Sequence, residues 1–244
     1  MIFNYILILG IGHLWGDFYL QNKKQESDKY KKILRQCLIY GVAVILTTLP
    51  VFSADMIKAA VCMSFAHCII ATAKYIILKK KKIRKGYFVF ITDQGIHIIS
   101  ICVIAYMMCV WQFSIGNIEI VHSIVSALGW EIEILARWLF AVLFIHRPVN
   151  VFIQYFLEED KPKREESIIK ADNKAGRRIG TVERLIMLIF LSMNQYTAIG
   201  FVLTAKSIAR YDKITKDEKF AEYYLLGTLL STLSVVICRL LIIR

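Results

Sequence analysis

Apolar residues in this chain come in runs of about twenty, separated by short charged stretches. Twenty helical residues cross the roughly 30 Å hydrocarbon core of a bilayer. The runs predict spans over 2–21, 33–52, 55–78 and 86–111. A short connection, "QFSIGNIEI", and an amphipathic approach, "VHSIVSALGWEIE", lead to a fifth span over 134–157. Residues 185–205 are long enough for another span, and 220–243 form the last. Alternation of the strand type is absent, so the predicted fold is all-α, a polytopic transmembrane bundle of about seven membrane helices.

One segment reads two ways. Asn194 and Gln195 fall in the middle of the sixth apolar run. Residues 181–210 therefore form either one span or a re-entrant hairpin of two short limbs. The predicted organisation is a five-helix membrane bundle over 1–157, a basic cytoplasmic linker over 158–179, and C-terminal membrane helices over 180–244.

Composition agrees with the pattern. Hydrophobic residues make up 57% of the 244, above the roughly 45–50% of soluble domains. The first run lacks a basic flank and a small-residue cleavage site, so it reads as a retained span rather than a signal peptide. The net charge of +12 raises nucleic acid as a partner, but the location of the charge argues against it. Lysine and arginine concentrate in "NKKQESDKYKK", "KKKKIRKG" and "KPKREESIIKADNKAGRR", between the apolar runs. That is the pattern of positive-inside loops. The predicted location is the inner (plasma) membrane, multi-pass, with basic loops cytoplasmic and the N-terminus and the Ser53–Asp55 turn outside. The expected partners are the bilayer itself, anionic lipid headgroups at the basic loops, and a cytoplasmic protein recruited by those loops. No specific nucleic acid is expected, and nothing specifies an oligomer. The six cysteines lie in apolar runs without a CxxC and read as small hydrophobes.

Polar residues inside the runs carry the candidate chemistry. His13, Asp17 and Gln21 in "GHLWGDFYLQ" are each four apart and share one helical face. Asp93 and His97 repeat the spacing in the opposite order, with Gln94 beside them. His67 and Lys74 lie in the third span, and Arg147 and Asn150 in the fifth, where Pro148 predicts a kink. On the positive-inside topology these residues all fall at a similar depth near the cytoplasmic side. Ionisable groups at membrane depth cost several kcal/mol unless paired or hydrated. Such groups face a bundle interior or a water-filled cavity.

The spacing predicts that the first and fourth helices bring two imidazoles and two carboxylates together. The candidate ligands of a divalent metal are then His13, Asp17, Asp93, His97 and His67, with zinc, manganese or iron as the ion. Asp17, Asp93, Lys74 and Arg147 are the candidate catalytic groups. The lysine and arginine would hold an anionic substrate or neutralise developing charge. The same pairs can instead hydrogen-bond within their helices and specify packing, or conduct ions. A second polar network is expected from Glu183, Arg184, Lys206, Arg210 and Glu222. A hairpin over 181–210 would bring the first four together.

"HLWGDFYLQ", "TDQGIH" and "GRRIGTVERLIML…QYTAIGFVLTAKSIAR…FAEYYLLGT" together resemble the bacterial membrane proteins grouped as domain of unknown function 3307. The resemblance extends over essentially the whole chain and implies no established activity. Its His and Asp positions map onto His13, Asp17, Asp93 and His97. Two positions depart from it. Ala71 stands where the third helix often has an Asp, and Gln36 stands where the second often has a His. The departures favour a two-helix site over a multi-metal one.

Two kinds of function follow. One is an intramembrane metal-dependent hydrolase acting from the cytoplasmic side on a phosphorylated or lipid-like substrate. The other is a non-enzymatic component: a channel, transporter or sensor subunit whose polar layer conducts or responds to ions, or a scaffold for a cytoplasmic partner.

Overall fold

The computed structural model describes residues 2–21, 29–81, 86–116, 118–158 and 166–243. The basic stretches 22–28 and 82–85, and residues 159–165 of the expected linker, lie outside that set. Every element is helical. Helix α1 (Ile2–Leu14) runs into a π-helical turn, Trp15–Tyr19, and is followed by α2 (Lys29–Thr48), α3 (Ala54–Lys81), α4 (Tyr87–Val110), α5 (Glu119–Ala127) and α6 (Ile132–Phe156). Helices α7 (Glu166–Ser192), α8 (Tyr196–Ile208), α9 (Tyr211–Lys216) and α10 (Glu218–Leu241) complete the chain.

Five helices among the described residues are long and apolar enough to cross a membrane: Ile33–Val51, Ala54–Lys79, Tyr87–Val110, Ile132–Phe156 and Glu218–Leu241. Helix α1 and the α7–α8 segment fall outside that set by length or composition, so the all-helical membrane fold holds while the count of about seven is not confirmed. Large apolar side chains such as Phe65, Phe88, Ile99 and Leu240 are exposed. Apolar surface on this scale is what lipid covers.

Residues Met1–Leu143 and Phe144–Arg244 form two compact units. The sequence reading drew its boundary later, at 157, where charge replaces the apolar run. In the first unit α1 packs on α2 and α4, and α3 packs on α2 and α4, so the four helices form a ring in chain order. Tyr5, Leu9, Val44, Met56, Ala60, Met63, Ile101 and Met108 fill its middle. One end is tied by polar groups. Tyr5 Oη donates to Phe113 O at 2.6 Å. Ser114 N and Oγ donate to Asp55 Oδ2, each at 3.1 Å. Ser53 Oγ caps α3 by accepting from Met56 N. The six cysteines are free thiols, and only Cys238 is buried; Cys62 and Cys102 are exposed on apolar helix faces.

In the second unit the 181–210 segment is a hairpin, not one straight helix. Helix α7 ends in a Schellman motif: Gln195 N donates to Phe190 O at 2.8 Å and Asn194 N to Leu191 O at 3.2 Å. Asn194 takes the left-handed conformation, φ 58°, which asparagine tolerates better than most residues. Helix α8 then folds back on α7, and Lys206 Nζ reaches Glu183 Oε2 at 2.6 Å. The two polar amides in mid-run mark this reversal.

Candidate metal centre

The first unit brings three imidazoles together. His13 on α1, His67 on α3 and His97 on α4 are 3%, 4% and 3% exposed. Each offers one ring nitrogen such that all three nitrogens lie within 4.8 Å of one another. The ring centroids of His97 lie 4.9 Å from those of both His13 and His67. Tyr40, from α2, stacks on His67 with centroids 3.6 Å apart and planes 6° apart. Each helix of the ring thus contributes one ring side chain.

Glycine allows this approach. A Cβ on Gly16 would meet Tyr40 Cδ2 at 2.8 Å and Ala43 Cβ at 3.3 Å. A Cβ on Gly12 would meet Thr47 Oγ1 at 2.7 Å and Val44 Cα at 3.3 Å. The end of α1 therefore lies directly on α2. Gly16→Val is expected to displace Tyr40 from His67 and destabilise the protein by about 1–3 kcal/mol. Thermal unfolding in detergent checks this, with Gly95→Ala, where an added Cβ meets nothing within 4 Å, as the control.

A hydrogen-bond chain sets the tautomer of His13. Gln94 Nε2 donates to Asp17 Oδ2 at 2.9 Å, so Gln94 Oε1 is the atom facing His13 Nε2 at 3.2 Å. An amide oxygen only accepts. His13 Nε2 therefore carries a proton, and Nδ1 faces Tyr40 Oη at 3.1 Å, accepting from it when the ring is neutral. This tautomer is assigned from the network. His67 Nδ1 is buried and has no partner. A buried polar atom without a partner is costly.

Neither carboxylate makes a direct ion pair with the three clustered imidazoles, although Asp17 lies close enough to interact electrostatically with all of them. Asp93 Oδ2 pairs with Lys74 Nζ at 2.7 Å and meets Gln94 Nε2 at 3.5 Å. Asp17 accepts from Gln94 and, through Oδ1, from Gln21 Nε2 at 2.9 Å. No ion pair joins His13, His67 or His97 to a carboxylate among the described residues. The expected crosswise His–Asp pairing is replaced by one side chain, Gln94, which joins Asp17 to His13. The turn that carries Asp17 is π-helical, with Leu20 N bonded to Trp15 O at 3.1 Å, a step of five residues. Arg147 is exposed in the second unit. Asn150 serves that unit, bonding His146 O and Thr181 Oγ1. Tyr40 was not foreseen; a tyrosine inside an apolar run resembles ordinary packing.

Three imidazoles are a donor set that suits zinc, manganese or iron. Tetrahedral zinc ligands lie about 3.3 Å apart, so nitrogens up to 4.8 Å apart would have to close by up to about 1.5 Å, and Tyr40 or Gln94 would have to yield its bond to His13.

The second network assembles around Arg184, which is 2% exposed. Its Nε donates to Ile145 O at 2.8 Å, Nη1 to Ser231 Oγ at 3.1 Å, and Nη2 to Asn150 Oδ1 at 2.7 Å. Pro148 has no N–H to close the α6 ladder onto Phe144 O, and the neighbouring Ile145 O accepts from Arg184 Nε. Glu183, Arg184, Lys206 and Arg210 line one cavity. Glu222 is exposed and not part of its lining.

A ring of apolar helices closed on a buried histidine cluster, in a chain with five helices fit to cross a bilayer, defines a multi-pass membrane protein. The family model described as "Protein of unknown function (DUF3307)" matches residues 5–126, half of the 244-residue chain, and the protein belongs to that family. The matched stretch holds His13, Asp17, Tyr40, His67, Lys74, Asp93, Gln94 and His97. It ends before the "GRRIGTVERLIML" region, so the C-terminal likeness read from the sequence lies outside it. No curated protein and no solved structure matches the chain.

Proposed function

We propose that His13, His67 and His97 hold a divalent metal and that the protein is an intramembrane metal-dependent hydrolase. The substrate is phosphorylated or lipid-like and approaches from the cytoplasmic side. The observation that carries the reading is the set of three buried imidazole nitrogens within 4.8 Å of one another. Structural zinc sites close with four protein ligands, whereas catalytic sites keep a position open. Three histidines leave that position. A metal there would lower the pKa of bound water toward neutrality and polarise a phosphoryl oxygen. Asp17, held by two amides, is the nearby group suited to accept a proton, and the Lys74–Asp93 pair supplies a cation for an anionic substrate.

Elemental analysis of the purified protein, with phosphate release from a phosphatidate substrate measured with and without chelator, tests the reading. About one divalent ion per chain and chelator-sensitive release support it. A folded protein without stoichiometric metal overturns the metal site. Metal without turnover, together with ion flux in liposomes, moves the function to conduction.

The orientation belongs to the same proposal. Cysteines placed at Lys24 or Lys82 in a background without native cysteines are expected to resist impermeant thiol reagents on intact cells. Since 181–210 is a hairpin, a cysteine at Thr215 is expected to be protected as well. Outside labelling at the first two reverses the map.

A further inference from the structure

The second unit holds a cavity of about 530 Å³ between α6, α7, α8 and α10. Four cationic side chains line it: Arg177, Arg184, Lys206 and Arg210. The lining holds one carboxylate, Glu183, and that is committed to Lys206 at 2.6 Å. No ion pair joins Arg177 or Arg210 to a carboxylate among the described residues. Arg184 spends four donor contacts on Ile145 O, Ser231, Asn150 and Thr181. All four acceptors are neutral, so its charge is not cancelled.

Two buried hydroxyls share that wall. Tyr224 Oη and Thr228 Oγ1 make no well-formed hydrogen bond, although Thr228 and Ser207 lie beside the Tyr224 hydroxyl, and both residues line the cavity. Hydroxyls with donor capacity to spare, beside cations not paired with a carboxylate, suit an acceptor-rich anion. The remaining wall is apolar, with Leu157 and Phe220 among its residues. A small free carboxylate would leave much of this volume and wall unused.

We propose that this cavity binds a phosphomonoester, held by Arg177, Arg210 and the hydroxyls of Tyr224 and Thr228, with the apolar wall against the group that bears it. Arg184 acts as a positioning residue and adds long-range positive charge. Arginine suits the task because its planar fork matches phosphate oxygens. The proposal is independent of the metal reading, because binding is measured without metal or turnover.

The test uses the full chain in neutral detergent, with ligand adducts counted by native mass spectrometry. The probes are dioleoyl phosphatidate, dioleoyl phosphatidylcholine and inorganic phosphate. Phosphatidate is expected to form one saturable adduct per chain, with phosphatidylcholine at least about tenfold weaker, since it lacks a monoester's charge. The Arg177→Gln/Arg210→Gln double variant is expected to weaken phosphatidate by at least about tenfold. The Arg177→Lys/Arg210→Lys variant keeps the charge and is expected to retain most of the binding, which separates loss of charge from misfolding. Phosphatidate binding that excess inorganic phosphate does not displace assigns a lipid headgroup. Displacement by phosphate assigns the free anion. Equal binding of both lipids, binding unchanged in the glutamine variant, or no binding of either phosphate probe overturns the proposal.

Discussion

His67→Ala is expected to strip the protein of its metal: from about one divalent ion per chain to less than about one in ten on purification, with the loss of any chelator-sensitive activity. The reason is specific to this histidine. His13 has a hydroxyl and an amide for its nitrogens, whereas His67 Nδ1 has no hydrogen-bond partner. On the proposed reading one nitrogen of the His67 ring would be a ligand. With three protein ligands, losing one leaves two, too few for a retained ion. Two companion variants separate ligation from proximity. Tyr40→Phe removes the Oη bond to His13 and keeps the ring on His67. It is expected to cost about tenfold in affinity, as for a group that orients a ligand. Asp93→Asn is expected to keep the metal, because Asp93 faces Lys74 rather than the imidazoles. Metal retained by His67→Ala and lost by Asp93→Asn would instead return the site to the carboxylate-centred arrangement expected from sequence spacing.

Arg184→Met is expected to destabilise the second unit by about 3 kcal/mol or more, read as a shift in the detergent-denaturation midpoint. The side chain is among the largest that are wholly buried, and it links α7 to α6 and α10 through Ile145 O, Asn150 and Ser231. Methionine fills similar volume but leaves those acceptors without a donor, at about 1–3 kcal/mol each. Arg184→Lys is expected to recover little, since one ammonium cannot reach partners spread around a planar fork. An Asn150→Leu/Arg184→Met double variant is expected to be less destabilised than the sum of the single changes, because the two share a bond. Strict additivity would show that the 2.7 Å contact contributes nothing.

Much of the architecture was legible because hydrocarbon imposes a simple rule. Backbone groups must be satisfied within the segment, so a run of twenty apolar residues is a helix whatever surrounds it. The spans around residues 33–52, 55–78, 86–111 and 134–157 follow from that rule. So does the singling out of His13, His67, His97, Asp17 and Asp93, because a polar side chain in such a run needs a partner. Asn194 and Gln195 marked a reversal for the same reason, though only the structure decided that the chain turns there.

The pairing of the polar groups was not legible. Helical spacing places residues on a face but does not say which neighbour that face meets. Three decisions were tertiary: Gly12 and Gly16 admitting α2, Tyr40 stacking on His67, and Gln94 taking the place of a carboxylate beside His13. Each depends on ångström-scale approach between helices distant in sequence. The sequence by itself determined that this chain spans a membrane as helices and carries ionisable groups within them. Only the tertiary structure decided that the imidazoles meet one another while the carboxylates find other partners. Burial makes partners obligatory, and packing alone determines which ones lie within reach.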